Sequence, residues 1–344
     1  MTVVDPNVRA RELLRARVRP KLLGRAEILK DLSNVYFESD RDDQLDMEIE
    51  LIISHMLNDQ VTSGYAVAVT GPSGAGKTTL VNRRLNATPE LEPFDDGYGN
   101  SVRYCLRVNT PSACTAKKLG EAILLASGYP MARTPNEDDI WLLVRKRLRL
   151  GMHKIIFFDE FQHVLKGPKA KGGAHLTNQI KLLMQDPEWP VWILIAGVPQ
   201  IQEFVERDEW MQMERRLRPL PIDDLQDEEG DIENTKEILE ALAASSGLKV
   251  AFPTTDDFIR RLMHGGIWRF GMTAQIIKLS IECALWDDDA GDELRFKHFV
   301  DGYRRISNCT KASNVMTAEN WEQIRRQVVA RTGKLTPGFS TRPE

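Results

Sequence analysis

The sequence predicts an α/β fold: a parallel five-stranded sheet covered by helices on both faces, followed by a small all-α domain. Three observations carry this expectation. Short continuous apolar runs alternate with helical patterns up to the region of residue 225, the pattern left by strands that crossover helices bury on both faces. After the acidic turn Asp223–Asp231 the strands stop and only helices follow. The chain is 344 residues long, which at roughly 150 residues per domain leaves room for two.

The elements follow in order. Residues 1–24 form a basic, proline-punctuated arm carrying Arg9, Arg11, Arg15, Arg17, Arg19 and Lys21. An acidic stretch from Glu38 to Glu50 reads as a solvated loop leading into an apolar helix Ile49–Met56. The first strand is Ala66-Val67-Ala68-Val69, ending in a glycine-rich turn and a helix. Val102–Val108 is the second strand, Ile155–Phe158 the third and Val191–Ala196 the fourth. Leu217–Ile222 is the fifth, and Pro219 and Pro221 push it to a sheet edge because proline has no N–H for the ladder. Between them lie helices Lys117–Ala126, Glu137–Leu150 (Asn136 as N-cap, Gly151 past its end) and Leu176–Met184, then short helices Pro199–Phe204 and Glu209–Arg216. The second domain reads as helices Glu233–Ser245, Thr255–Met263, Met272–Leu285 and Phe296–Ile306, with a tail helix Ala318–Arg331. The expected segmentation is therefore an arm at 1–24, an α/β domain at 25–224, a helical domain at 225–312 and a tail at 313–344.

Composition narrows the function classes. Hydrophobic residues make up 42% and charged residues 28%, which excludes disorder, collagen and a small disulfide scaffold. Lys+Arg 46 against Asp+Glu 50 gives −4, so a nucleic-acid partner would have to meet a local patch rather than a basic whole. Cys105, Cys114, Cys283 and Cys309 form no CxxC pair and no zinc-ligand spacing, and read as reduced, buried thiols. No apolar run approaches the roughly 20 residues needed to cross a bilayer, and no secretory h-region opens the chain. The expectation is a cytoplasmic protein without a membrane partner.

The strongest motif is Gly71-Pro72-Ser73-Gly74-Ala75-Gly76-Lys77-Thr78, followed by Thr79. It matches GxxxxGK[ST] and stands where the mechanism needs it, after a buried strand and before a helix. Glycines let the backbone wrap a phosphate closely, and the N–H groups and helix N-terminus then face negative charge. Lys77 would reach the β- and γ-phosphates of ATP, and the Thr78 hydroxyl would hold Mg²⁺. Its partner is Ile155-Ile156-Phe157-Phe158-Asp159-Glu160, an apolar strand that delivers two carboxylates to the carboxyl edge of the sheet. Asp159 would share the metal side with Thr78. Glu160 would orient and polarise an attacking water, which marks hydrolysis of ATP rather than binding alone.

These features resemble the AAA+ ATPases over residues 20–310. The resemblance implies a P-loop sheet domain followed by a helical lid. It implies an adenine-side role for Gly24 and Arg25 within Leu23-Gly24-Arg25-Ala26-Glu27-Ile28. It also implies a trans arginine finger at Arg215 or Arg216 before the fifth strand, and a lid-side phosphate sensor at Arg269 within Gly265-Gly266-Ile267-Trp268-Arg269. One departure stands out. The fourth strand of that family ends in a polar residue that positions the lytic water, whereas Ile193-Leu194-Ile195-Ala196-Gly197-Val198-Pro199 offers none. Either hydrolysis is slow or another group substitutes, such as Gln162 or Gln200. His163, beside the acid pair, is left out of the site as structural or as a subunit contact.

The finer resemblance is to transposition helper ATPases of the TniB/TnsC type, through Asp159–Leu165, Asn178–Leu183, Ala196–Pro199, Arg215–Pro221 and Gly265–Ile277. It implies ATP-driven assembly of a ring or helical filament on double-stranded DNA, recruitment of a DDE transposase and a link to a target-selection protein. Assembly would multiply a few phosphate contacts per subunit, reconciling the net charge with DNA binding. Candidate DNA contacts are Thr115 and Lys117, which read equally as an N-cap and a solvated lysine; the basic, glycine-rich loop Lys166–Gly173 is a second patch. The alternatives are an IstB-like or initiator-like loader, and a signalling ATPase that never touches DNA.

Overall fold

The computed structural model describes residues 5–129, 135–166, 171–201, 214–325, 327–329 and 335–337. The chain divides into two compact units, Glu38–Asp224 and a second built from Met1–Phe37 with Leu225–Glu344.

The first unit is built on five parallel strands: β1 (Ala66–Thr70), β2 (Cys105–Asn109), β3 (Ile155–Asp159), β4 (Trp192–Gly197) and β5 (Leu217–Pro221), in the spatial order β2-β3-β4-β1-β5. Registers are regular, with Ala66 opposite Ile193 on one side and Leu217 on the other. Alternate residues serve opposite faces, as the strand period of two requires. Ala66, Ala68, Ile156, Phe158, Ile193 and Ile195 pack under helices Ala116–Ala126, Glu137–Leu150 and Lys171–Met184. Val67, Val69, Ile155, Phe157, Trp192 and Leu194 pack under helices Asp40–Met56 and Lys77–Ala87. β5 closes one edge of the sheet, as its prolines predict.

Several expectations need correction. The acidic stretch is not a loop: Asp40–Met56 is one helix from its first acid. Asp42, Leu45, Ile49 and Ile52 make its buried stripe, Ser39 and Asp42 close a capping box, and Arg84 pairs with Asp46 and Glu38. The second strand starts at Cys105, because Val102 belongs to a separate two-residue ribbon with Phe94. The segment Lys166–Gly173 is not all loop, since a helix begins at Lys171; residues 167–170 lie outside the described ones. Of the short helices before β5, Pro199–Ile201 and Glu214–Arg216 are 3₁₀ turns, and residues 202–213 lie outside the described residues.

The second unit is mainly helical: Pro6–Arg15, Pro20–Asn34, Glu229–Ser245, Asp256–Gly265, Phe270–Trp286 and Phe296–Ser307. It is not the all-helical domain expected: Lys249–Val250 pairs with Glu293–Leu294 and Gln327–Val329 with Leu335–Pro337. Its core includes Leu32, Leu239, Leu242, Ile259, Leu262, Ile277, Ile281, Phe299 and Tyr303. Residues 25–37, expected with the sheet, belong here because Leu32 enters this core with Leu29, Val35 and Phe37 packed against it. Pro6–Arg15 buries no residue. The expected tail helix does not form over residues 318–325, where only a 3₁₀ turn, Trp321–Gln323, is present. Trp321 is buried, and Arg261 donates to the carbonyls of Val315 (3.0 Å) and Ala318 (2.7 Å). Carbonyls taken by a side chain, and a tryptophan held in the core, leave no register for a helix. Among the described residues no helix is long and apolar enough to cross a membrane.

Candidate active site

The glycine-rich loop joins β1 to the helix Lys77–Ala87 and lies at the carboxyl edge of the sheet. Gly76 caps that helix at φ 98°, in the left-handed region that glycine alone enters without strain. The loop is anchored next to β4, the Gly71 amide donating to the Gly197 carbonyl at 3.1 Å. Lys77 is largely buried, and its ammonium donates to the carbonyls of Gly71 (2.8 Å) and Pro72 (2.7 Å). The loop is thus folded around its own lysine, with the charge already at the focus of the turn. Thr79 is exposed one residue further on.

Asp159 ends β3 beside this loop. The Thr78 hydroxyl donates to its Oδ1 at 2.8 Å, and the Glu160 amide donates to the same oxygen at 2.9 Å. A hydroxyl and a carboxylate in contact form the hard-oxygen pair that Mg²⁺ prefers, so the residues present fit the ion. Glu160 has an exposed side chain and a backbone φ of 52°, uncommon for a residue with a Cβ. Its carboxylate accepts a hydrogen bond from the Gln162 amide. Nothing in the sequence signals the left-handed turn, since Asn and Asp, not Glu, are the usual markers. His163 sits at a structural post, its Nδ1 2.9 Å from the Thr110 carbonyl and its amide on the Glu160 carbonyl.

The fourth strand ends, as the sequence requires, on Gly197 without a polar side chain. Gln162 lies against it: a Cβ built on Gly197 would stand 2.9 Å from the Gln162 Oε1. Gln200 is exposed in the turn Pro199–Ile201.

The other candidates lie apart. Arg215 and Arg216 precede β5, whose first residue pairs with the first residue of β1, so they stand at the amino end of the sheet, opposite the glycine-rich loop. Arg215 is exposed, while Arg216 reaches the Ser63 hydroxyl at 3.4 Å. Thr115 caps helix Ala116–Ala126, accepting from the Lys118 amide at 3.3 Å, and Lys117 is half-exposed on its first turn. Both follow the carboxyl end of β2, on the same edge as Asp159. In the helical unit, Gly24 and Arg25 lie within helix Pro20–Asn34, where Arg25 bonds Asp288 at 2.9 Å and covers the Trp286 ring at 4.9 Å. Arg269 opens the helix Phe270–Trp286, directly after two left-handed residues, Ile267 and Trp268.

A family model described as bacterial TniB protein matches residues 40–227, more than half of the chain. The chain belongs to the TniB family. No curated protein matched the sequence. Solved structures place this TniB-family chain among AAA+ folds. It is similar to the ORC2 protein of Aeropyrum pernix in its ADPNP and ADP complexes (16% identity, TM-score 0.54, covering 80% of this chain and 71% of that one). It is similar to Cdc6p of Pyrobaculum aerophilum (8% identity, TM-score 0.51, 79% and 69%). It is also similar to the A. pernix ORC1 protein in complex with DNA (19% identity, TM-score 0.54, 78% and 65%). At such identities the likeness establishes the fold. With the family match, it makes this TniB-family protein an AAA+ ATPase.

Proposed function

We propose that this TniB-family ATPase is a DNA-binding transposition regulator that assembles on target duplex DNA with ATP and Mg²⁺, engages a DDE transposase and is reset by slow hydrolysis. The observation that carries the ATP cycle is the contact of Thr78 with Asp159 beside the lysine-filled loop. In this reading the β- and γ-phosphates of ATP take over the hydrogen bonds that Lys77 now gives to Gly71 and Pro72. Thr78 and Asp159 would hold Mg²⁺, which neutralises charge on the phosphoryl group when bound. Glu160 orients a water whose oxygen attacks the γ-phosphorus. The water's proton passes to the carboxylate, and the bond to the leaving ADP oxygen breaks.

Arg215 is the better finger of the pair, being exposed where Arg216 is tied to Ser63. At the amino end of the sheet it would serve a neighbouring subunit's γ-phosphate, making assembly dependent on ATP. Arg269 would contact phosphate from the helical unit. The segmentation into an N-terminal arm, sheet domain, helical lid and tail is kept as part of the proposal, with residues 25–37 moved to the helical unit. Gly24 and Arg25 remain candidates for the adenine side, although Arg25 already has Asp288 and Trp286 as partners. DNA contact is proposed for Thr115 and Lys117, which share the sheet edge of Asp159. The TniB family match supports the transposition link. A target-selection protein belongs to the same proposal.

The test is assembly on duplex DNA, observed by electron microscopy with a non-hydrolysable ATP analogue. Filaments or rings are expected with wild type and with Glu160→Gln plus ATP, and none with Lys77→Ala. Assembly indifferent to DNA would favour the signalling reading and remove the DNA role.

A further inference from the structure

The end of β4 has no side chain to hold a water, yet the space beside it is filled. A Cβ on Gly197 would stand 2.2 Å from the Ile201 Cδ1 and 2.9 Å from the Gln162 Oε1. The strand therefore ends on glycine because Gln162 and Ile201 occupy the volume that a residue there would claim. Gln162 arrives from β3: after the left-handed turn at Glu160, the 3₁₀ segment Phe161–Lys166 carries its side chain back toward β4. Its amide spans two neighbours. The NH₂ donates to the Glu160 Oε2, and the Oε1 is buried against Gly197. The chemistry fixes this orientation, because only the NH₂ end of an amide can face a carboxylate.

We propose that Gln162 is the positioning residue that takes over the work of the polar side chain absent from β4. It holds the Glu160 carboxylate, itself on a strained and exposed turn, in one orientation toward the attacking water. Two features converge on this assignment. Among the described residues, Gln162 is the side chain that hydrogen-bonds the Glu160 carboxylate. The side chain of Gln162 stands at the carboxyl end of β4, whose Gly197 carbonyl anchors the glycine-rich loop through the Gly71 amide. The inference rests on the reading of Glu160 as the group that orients water.

The experiment measures phosphate release and the affinity for a fluorescent ATP analogue for wild type, Glu160→Gln, Gln162→Ala and Gln162→Glu. Gln162→Ala should lower kcat by about 10- to 100-fold, a fraction of the effect of a general base, with nucleotide affinity within about threefold of wild type. Gln162→Glu replaces the NH₂ donor with a second carboxylate, so its kcat should fall at least as far as that of Gln162→Ala, with nucleotide affinity likewise kept. A kcat within twofold of wild type for either Gln162→Ala or Gln162→Glu would overturn the proposal. Should Gln162→Ala not fold, Gln162→Asn carries the same test, since it keeps the amide but withdraws it by one methylene. If Glu160→Gln hydrolyses ATP like wild type, the reading of Glu160 fails and this inference with it. If Glu160→Gln is inactive and Gln162→Ala is not, only the inference fails.

Discussion

Both units contain non-glycine residues in the left-handed region beside a motif residue, and they hold them by different means. In the helical unit, Ile267 (φ 59°) and Trp268 (φ 55°) precede Arg269. There the amides of Ile267, Trp268 and Arg269 bond the carbonyls of His264, Met263 and Gly266, and the Trp268 carbonyl accepts from Leu225 at 2.6 Å. Trp268 is also buried in the helical core. In the sheet unit, Glu160 (φ 52°) is held by its amide on Asp159, by its carbonyl's bond from His163 and by Gln162. Each left-handed residue costs about 1–2 kcal/mol. The first pair repays that cost through packing, whereas the exposed Glu160 repays little of it locally. Strain of the second kind must be carried by the surrounding fold, which accords with the role proposed for Glu160.

The largest expected effect tests the packed pair. Trp268→Ala should lower unfolding free energy by about 3–5 kcal/mol through loss of buried volume, read by guanidinium denaturation; a loss under 1 kcal/mol would mean that packing does not hold the turn. Next is Gly266→Ala. Its Cβ would meet the Thr273 Oγ1 at 2.3 Å and the Thr273 backbone nitrogen at 2.8 Å. A destabilisation of about 1–3 kcal/mol is expected for such overpacking.

The third prediction asks whether fragility in the sheet unit is confined to its site. Burial pushes the thiols of Cys105 and Cys114 up to about 12. A raised folded value means that the native state keeps a proton the unfolded chain releases above its ordinary value near 9. The stabilisation is therefore whole below pH 9 and is lost as pH rises toward 12, at about 1.4 kcal/mol per pH unit for each thiol. Stability curves at pH 8, 9 and 10 should fall for wild type and fall less for Cys105→Ala/Cys114→Ala.

The smallest effect has the opposite sign. Glu160→Gly should stabilise the protein by about 0.5–1 kcal/mol by relieving the left-handed strain, while abolishing hydrolysis. Loss of stability in that variant would erase the contrast between the two turns.

Much of this was legible in the sequence, for reasons particular residues make plain. The five strands announce themselves because each is buried on both faces, as Ile155–Phe158 is. The glycine-rich loop and the acid pair are each one unbroken run that follows an apolar strand, so each is placed at the carboxyl edge of the sheet by its own local order. The helix from Asp40 was hidden because its buried stripe, including Asp42 itself, is interleaved with acids whose partner, Arg84, lies on another helix. The allegiance of residues 25–37 was hidden because it is decided by contacts with helices some 200 residues later. The choice between Gln162 and Gln200 stayed open because it depends on one φ angle that Glu160 does not advertise.

The prolines of β5 reach further than the edge they mark. The Ile222 amide donates to the Thr70 carbonyl at 2.6 Å. Backbone groups alternate sides along a strand, so the positions of Pro219 and Pro221 face away from β1, and these are the two that lack a hydrogen to give. The outer rim of this sheet therefore offers carbonyls but no donors at two consecutive outward positions. A second copy cannot extend the sheet there by strand pairing. Copies that associate at this side must do so through side chains and loops, a joint that a bound ligand can make and unmake, rather than through a backbone seam that would lock them together.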